Sequence, residues 1–174
     1  MSLKSKISVM AVISCLVTSC AFDAFSVDST ESFEEIDHIV VEKKARQMKV
    51  YNDGVLLKTY KISLGVNPKG HKVKEGDKRT PEGEYEITQK NPKSRFYRTL
   101  KISYPNDTDR EKATKLGVNP GGDIMIHGLG RDYRHFGKLH TLHNWTLGCV
   151  AITDKEMDEI FPAVQPGTTI HIKP

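Results

Sequence analysis

The chain has 174 residues, a length that suits one domain with a substantial core and is too short for two. Its 26 Lys and Arg residues outnumber its 22 Asp and Glu residues and give a formal net charge of +4. That charge is too weak to indicate a nucleic-acid partner. Internal repeats and low-complexity tracts do not occur, and no apolar segment beyond the N-terminal region has the length of a membrane span.

The N-terminal region has the layout of a secretory signal peptide, which we assign to residues 1–19. Lys4 and Lys6 give it a basic start, and the apolar run 7–17 is too short to span a bilayer as a permanent helix. Without this segment the net charge would be +2. A buried N-terminal helix is the alternative, which the charge layout disfavours.

The end of this segment, Val-Thr-Ser-Cys at residues 17–20, resembles the lipobox of bacterial lipoproteins, in which the cysteine is lipidated and becomes the new N-terminus. A diacylated Cys20 would be a stable anchor, because stable anchoring takes more than one chain. In that family the residue after the lipidated cysteine directs sorting. By resemblance to that rule, Ala21 rather than Asp indicates the outer membrane of a Gram-negative cell. We therefore expect a periplasmic protein with residues 20–36 as its tether. Simple cleavage near Ala24 is the alternative.

Short apolar runs separated by turn residues predict a mainly β domain over residues 37–173, an antiparallel sandwich with a few short helices. Asp53 and Gly54, between two alternating runs, predict a β-hairpin. Residues 67–80 are rich in Gly, Lys and Asp and predict an exposed loop, which ends in the turn 80–83. The predicted strands are 38–42, 48–51, 55–60 with its continuation 62–65, 85–87, 100–104, 124–127, 150–152 and 168–172.

Two capping boxes predict short helices, because Ser or Thr followed three residues later by Glu can satisfy the first free N–H groups of a helix. Thr108 with Glu111 would open the first helix, which would end at Gly117. Thr153 with Glu156 would open the second, whose apolar face carries Met157, Ile160 and Phe161.

The cysteine count singles out Cys149. Cys15 would leave with the signal and Cys20 would carry lipid, so the mature chain could form no intramolecular disulfide. A single free thiol in an oxidising compartment is a liability unless it has a use. A buried thiol that only packs is the alternative.

His127 is the natural base for that thiol. It ends a short apolar strand and precedes Gly128, whereas Cys149 follows Gly148 and starts another strand. A thiol becomes a nucleophile when a base or a positive neighbour assists it, and flanking glycines let backbone N–H groups face a reacting carbonyl.

These motifs, taken in order, resemble the L,D-transpeptidase catalytic domain of the YkuD type over about residues 37–173. The resemblance lies in Ser-Leu-Gly at 63–65, Thr-Pro-Glu-Gly at 80–83, Ile-His-Gly at 126–128 and Thr-Leu-Gly-Cys-Val at 146–150. Residues 91–97, 102–106 and 120–128 look like a branch of murein-linked periplasmic enzymes. Some members of that branch hydrolyse the bond between peptidoglycan and its attached lipoprotein.

The resemblance implies a reaction without metal or cofactor. Cys149 would attack the carbonyl on the L-centre of diaminopimelate in a peptidoglycan stem peptide, and His127 would take the thiol proton. The Gly128 carbonyl would orient the imidazole, and the N–H groups of Gly148 and Cys149 would form an oxyanion hole worth about 3 kcal/mol. An amine or water would then take the acyl group. A murein-bound lipoprotein is a second candidate partner, and we expect a monomer.

Two residues depart from the family's pattern. Leu147 stands where the family usually has a polar residue, and Ala151 stands where it has Arg or Asn. Residues 91–97 and 120–128 resemble the lipoprotein-releasing branch, and Ala151 offers no polar side chain to hold an incoming amine, so we expect hydrolysis rather than cross-linking. Candidate substrate-binding residues are Arg95, Tyr97, Arg98, Trp145 and Thr146.

Other histidines and other families remain as alternatives. His135, His140 and His143 lie between base and nucleophile; we expect surface positions, with His143 as a rival base and a zinc site disfavoured by the irregular spacing. Sortases need an Arg after the cysteine, but none follows Arg134. Papain-like enzymes place the cysteine before the histidine. A lipid-anchored β binding module with a passive thiol is the non-enzymatic alternative.

Overall fold

The computed structural model describes residues 33–174, so the predicted signal peptide and Cys20 lie outside the described residues. The strands are β1 (Ile36–Glu42), β2 (Gln47–Asn52), β3 (Val55–Lys61), β4 (Gly83–Ser94), β5 (Tyr97–Ile102), β6 (Met125–His127), β7 (Val150–Ala151) and β8 (Val164–Lys173). The helices are α1 (Asp107–Lys115), α2 (Gly130–Tyr133), a 3₁₀ segment (Arg134–Leu142) and α3 (Asp154–Ala163). Within this part of the chain, no helix has the length and apolarity needed to cross a bilayer.

The strands form one curled sheet in the order β3-β2-β1-β8-β4-β5-β6-β7. The predicted mainly β fold with a few short helices is confirmed. The pairing is mixed, however, because β1 with β8 and β6 with β7 run parallel whereas the other neighbours run antiparallel. Both halves of the sheet contribute to a single core, which includes Ile39, Met48, Ile87, Leu100, Ile126 and Ile170.

The two ends of the strand order meet beyond β3. Ser63 and Ala151 form an antiparallel bridge, with N···O distances of 3.0 and 2.8 Å between their backbones. Gly65 bridges Thr146 in the same region. The continuation of β3 therefore runs directly against the segment that carries Cys149.

The hairpin between β2 and β3 is confirmed. Asp53 and Gly54 have φ values of 48° and 75°, both in the left-handed region that a tight two-residue hairpin turn requires. The capping box of α3 is also confirmed, since Thr153 Oγ1 accepts from Glu156 N–H and Glu156 Oε2 accepts from Thr153 N–H.

The predicted start of α1 is wrong. Asn106, not Thr108, caps the helix, and its capping box is closed by Asp109 instead of Glu111. Asp109 is drawn inward because its carboxylate also accepts a 3.0 Å bond from the Tyr85 hydroxyl and pairs with His71. The predicted end is right, since Gly117 follows the last cap residue with φ of 66°.

The loop at residues 67–80 is less exposed than predicted. Lys43 is buried beneath it, and its ammonium donates to Gly70 O, Thr80 O and Glu82 Oε1 at 2.7 to 2.8 Å. Within the loop, burial alone would raise the pKa of Asp77, but hydrogen bonds from its neighbours, including backbone N–H groups and a lysine, hold that pKa at about 2. The loop is therefore a fixed part of the wall behind residues 65 and 148.

Gly65 is the position where this arrangement is most sensitive to volume. A methyl group on Gly65 would lie 2.2 Å from Lys78 O and 3.1 Å from Gly148 Cα. We predict that Gly65→Ala lowers the free energy of unfolding by about 1–3 kcal/mol, measured by thermal or denaturant unfolding, because backbone must move to admit the methyl group.

Gly122→Ala is the matched control for this change. Its nearest neighbour would be 4.0 Å away and its φ lies outside the left-handed region, so stability should remain close to that of the unaltered protein. Equal stability of the two variants would contradict the close approach at Gly65.

Candidate active site

Strand pairing brings His127 and Cys149 to one face of the sheet. In the parallel pair β6–β7, Ile126 lies opposite Val150 and His127 lies opposite Ala151. Ile126 and Val150 belong to the core. Because side chains alternate along a strand, His127 and Cys149 both project from the other face. Cys149 directly precedes β7 and lies two residues before Ala151, the strand partner of His127.

His127 is held in one orientation. It is 2% exposed, and its Nδ1 lies 2.7 Å from Gly128 O. Since a carbonyl only accepts, Nδ1 carries the proton and Nε2 carries the free lone pair. Burial lowers the pKa of His127 below its usual value, and the bond to Gly128 O opposes this only in part. The His127 imidazole is therefore neutral at pH 7, and the Gly128 carbonyl fixes its orientation.

The backbone after His127 is fixed by the start of α3. Asp154 Oδ1 accepts hydrogen bonds from Leu129 N–H at 2.7 Å and Gly130 N–H at 3.0 Å. A side chain on Gly128 would lie 2.6 Å from this same carboxylate oxygen. The glycine after His127 is thus required by close packing against Asp154.

Aromatic rings surround the imidazole. The Phe96 ring lies 4.7 Å from the His127 ring at 35°, and the Trp145 ring lies 5.8 Å away at 74°. Tyr133 stacks on the outer side of Trp145, with centroids 4.8 Å apart. The sequence indicated Trp145 as a wall of the site. It did not indicate Tyr133, because nothing in the spacing shows that α2 folds back over Trp145.

The turn that carries the thiol is closed by one hydroxyl. Thr146 Oγ1 donates to Cys149 O at 2.7 Å and accepts from Gly148 N–H at 3.1 Å. Gly148 has φ of 136°, and a side chain there would lie 2.7 Å from Arg79 O. Thr146 is buried and its hydroxyl holds this turn, whereas its contact with substrate stays a prediction.

This arrangement bears on the expected oxyanion hole. The Gly148 N–H is already engaged by Thr146, so the Cys149 N–H is the donor available first. The Gly148 N–H could donate to a reacting carbonyl only after its hydrogen bond to Thr146 Oγ1 breaks. The sequence does not indicate this step.

The Cys149 thiol is half-buried and neutral at rest. Its Sγ lies 3.6 Å from Asp123 O. Burial raises the pKa of Cys149 above its usual value, while a hydrogen bond from Met125 N–H opposes the shift. Burial therefore favours the uncharged form of both the thiol and His127. Proton transfer would have to accompany attack on a carbonyl rather than precede it.

Two of the predicted substrate-binding residues are occupied elsewhere. The Tyr97 hydroxyl donates to Asp158 at 2.8 Å, and Arg98 pairs with the same carboxylate at 3.0 Å. These contacts attach β5 to α3, and the role of both residues in binding substrate stays a prediction. Arg95 differs, because its side chain is 77% exposed, pairs with exposed Asp132 and lies 5.8 Å from the centre of the Phe96 ring.

A basic cleft of about 560 Å³ lies beside the His127 end of the site. Four cationic side chains and one carboxylate line it, namely Lys93, Arg95, Arg131, Arg134 and Asp132. Phe96 follows Arg95 in the chain, and its ring packs against the His127 imidazole. The cleft therefore offers a positive surface to an acidic ligand near the base.

The remaining histidines do not behave alike. His135 and His143 are exposed, as predicted, but His140 is 7% exposed and burial lowers its pKa to about 4. The expectation of a surface position for His140 is wrong because the 3₁₀ segment turns it inward. Across residues 33–174, no group of three or more His, Cys, Asp or Glu side chains is arranged to hold a metal ion.

Comparison with known proteins identifies the family. A model of the YkuD family, the L,D-transpeptidase catalytic domain, matches residues 36–172. The Escherichia coli K12 protein YafK, assigned by name to the L,D-transpeptidases, is 30% identical over 150 residues, or 79% of this chain and 53% of that protein. The chain thus spans about half the length of the curated relatives that it matches.

Solved structures agree on the fold. The helical cell shape determining protein Pgp2 from Campylobacter jejuni is 26% identical with a TM-score of 0.59, over 79% of this chain and 47% of that one. An L,D-transpeptidase from Mycobacterium smegmatis is 15% identical with a TM-score of 0.53, over 79% of this chain and 58% of that one. A family model matching nearly all described residues makes this protein a member of the L,D-transpeptidase family of the YkuD type.

Proposed function

We propose that the protein is a peptidoglycan-modifying cysteine acyltransferase whose nucleophile is Cys149 and whose base is His127. Membership of the L,D-transpeptidase family supports action on peptidoglycan stem peptides. The observation that carries the proposal is the parallel pairing of β6 with β7, which puts a fixed neutral imidazole and a neutral thiol on one face. A neutral pair suits a thiol that transfers its proton as it attacks.

In the first step, Sγ of Cys149 attacks the carbonyl on the L-centre of diaminopimelate while His127 Nε2 takes the thiol proton. The oxyanion is held by the Cys149 N–H, with Gly148 N–H as the second donor once it leaves Thr146. The tetrahedral intermediate collapses to a thioester, and the leaving amine takes the proton from His127. The basic cleft beside Phe96 is suited to the carboxylates of the stem peptide.

The second step is hydrolysis in this proposal. Ala151 is fully buried between Ser63 and the His127 strand, so it supplies no polar group for an incoming amine. A thioester without a well-held amine is left to water. The substrate bond we favour is the one between murein and its attached lipoprotein, with cross-linking as the second candidate.

Murein sacculi that carry bound lipoprotein test this choice. The purified protein should release the lipoprotein and leave free tripeptide stems, identified by mass spectrometry of the digested sacculi. New cross-links between diaminopimelate residues, without lipoprotein release, would instead identify a transpeptidase.

A passive thiol is the second candidate, and the burial that raises the pKa of Cys149 favours it. Substitutions separate it from an enzyme. Cys149→Ala should abolish turnover and leave the fold intact, because the change in volume is small. His127→Ala should lower the rate at least about a hundredfold, the usual scale for loss of a general base.

His143→Ala is the matched control for the base. His143 is exposed, so its loss should leave turnover within a few-fold of the unaltered protein. The assignment of the base is wrong if His143→Ala is the more damaging substitution, and the enzyme proposal is wrong if Cys149→Ala stays active.

The pH dependence follows from the burial of both groups. Protonation of His127 abolishes the base, and because burial lowers its pKa below 6.5, kcat/KM should fall only at pH values below that. The raised pKa of Cys149 keeps the thiol protonated through neutral pH. A pH profile of muropeptide turnover measures the acid limb. A midpoint at or above pH 6.5 would contradict a desolvated base.

Residues 17–20 lead us to propose that Cys20 is lipidated and that the protein sits in the periplasm on the outer membrane. We predict that Cys20→Ser moves the mature protein from the membrane fraction to the soluble periplasmic fraction, measured by fractionation and immunoblotting. Cys15→Ser, within the signal, is the control and should leave the protein on the membrane. An unaltered protein that is already soluble would support simple cleavage.

A further inference from the structure

Trp145 stands between two imidazoles. The His127 ring lies 5.8 Å from it at 74°, and the His140 ring lies 6.5 Å from it at 83°. Both histidines thus meet the indole edge to face. His127 also acts electrostatically on His140, so the three rings form one connected group that includes the proposed base.

Polar atoms of this group are buried without partners. Three nitrogen atoms have no hydrogen-bond partner within residues 33–174, namely Nδ1 and Nε2 of His140 and Nε1 of Trp145. They are three of the five such side-chain atoms in that range. Leaving a buried polar atom unsatisfied costs about 1–3 kcal/mol, and native proteins rarely do so without a functional reason. The grouping of these atoms next to His127 points to a bound polar molecule.

The donor and acceptor capacity of the three atoms defines which molecule can bind. Trp145 Nε1 can only donate, whereas a neutral His140 offers one donor and one acceptor. Burial keeps His140 neutral at pH 7, since its pKa is about 4. A water molecule can accept from the indole and donate to His140, and His127 Nε2 supplies a further acceptor. Buried waters typically make about three such bonds.

The backbone around His140 is fixed as such a site requires. The single hydroxyl of Ser63 is shared between two carbonyl oxygens, with Oγ 2.7 Å from His140 O and 2.9 Å from His143 O. The Ser63 backbone in turn bridges Ala151, which lies opposite His127. The end of the 3₁₀ segment is therefore tied to the strand pair that carries the proposed base.

We propose that His140 and the Trp145 indole N–H hold the water that discharges the Cys149 thioester. This rests on the proposed function and names the acceptor site of its second step. The water oxygen bonds to the thioester carbonyl carbon as His127 Nε2 takes one water proton. The C–S bond then breaks, the sulfur takes that proton from His127, and the acid product leaves with the free thiol restored.

The site predicts a separation of the two half-reactions. In His140→Phe, which keeps a ring and removes both nitrogens, thioester formation should stay within about threefold, whereas its hydrolysis should slow at least about tenfold. Trp145→Phe, which removes the indole N–H, should slow hydrolysis in the same direction. His140→Gln retains a donor and an acceptor and should recover most of the rate. His135→Phe, an exposed position in the same segment, is the control.

Rapid-quench kinetics with a defined stem muropeptide measure both steps. Release of the leaving group reports thioester formation, and the intact mass of the protein reports thioester decay. Hydroxylamine, added in excess, attacks a thioester without a held water and should discharge the unaltered protein and His140→Phe at equal rates. Thermal unfolding of each variant shows whether it is folded; if His140→Phe is not, Trp145→Phe and His140→Gln decide the matter.

Wild-type rates of thioester hydrolysis in the folded His140→Phe and Trp145→Phe proteins would overturn the water site and leave the proposed function intact. An equal loss of both half-reactions would also overturn it, since that is what a packing role predicts. Absence of any thioester in the unaltered protein would overturn the proposed function, and the water site with it.

Discussion

The close backbone approach of Gly65 to Gly148 is the constraint on which the site depends. No side chain fits at either position, because carbonyl groups of Lys78 and Arg79 occupy the space that a Cβ would need. The approach lets the continuation of β3 bridge the segment before Cys149, and this closes the curled sheet. Without that closure, the thiol would sit on a free loop rather than opposite the strand that ends in His127.

Desolvation is the second determinant of the chemistry. Burial lowers the pKa of His127 and raises that of Cys149, so the resting pair is uncharged. A neutral thiol resists oxidation better than a thiolate does, which would suit the periplasmic location that we propose. The same burial leaves nitrogens of His140 and Trp145 without a hydrogen-bond partner within residues 33–174, so in our proposal one packing arrangement both excludes bulk water and holds the reacting water.

The sequence predicted correctly those turns and helix caps that depend only on residues close together in the chain. The hairpin at Asp53-Gly54 and the cap at Thr153 need only near neighbours, and both are confirmed. The start of α1 was wrong because Asp109 is chosen by contacts with Tyr85 and His71, which are distant in sequence.

The same distinction holds for the site, where the sequence predicted local features but not contacts between residues distant in the chain. The glycines beside His127 and Cys149 indicated tight backbone contacts, but the partner of each contact is distant. Asp158, for example, pairs with Tyr97 and Arg98 and ties both residues to α3. The burial of His140 likewise depends on Ser63, which holds the 3₁₀ segment from the other end of the sheet. Charge and spacing alone could not reveal either contact.

The central claim, that Cys149 carries the acyl group, is tested most directly by acid-quenching the protein with a stem muropeptide and mapping its peptides by mass spectrometry. We predict an acyl adduct on the peptide containing Cys149 that hydroxylamine removes. Turnover of the muropeptide with no adduct on that peptide would contradict the account.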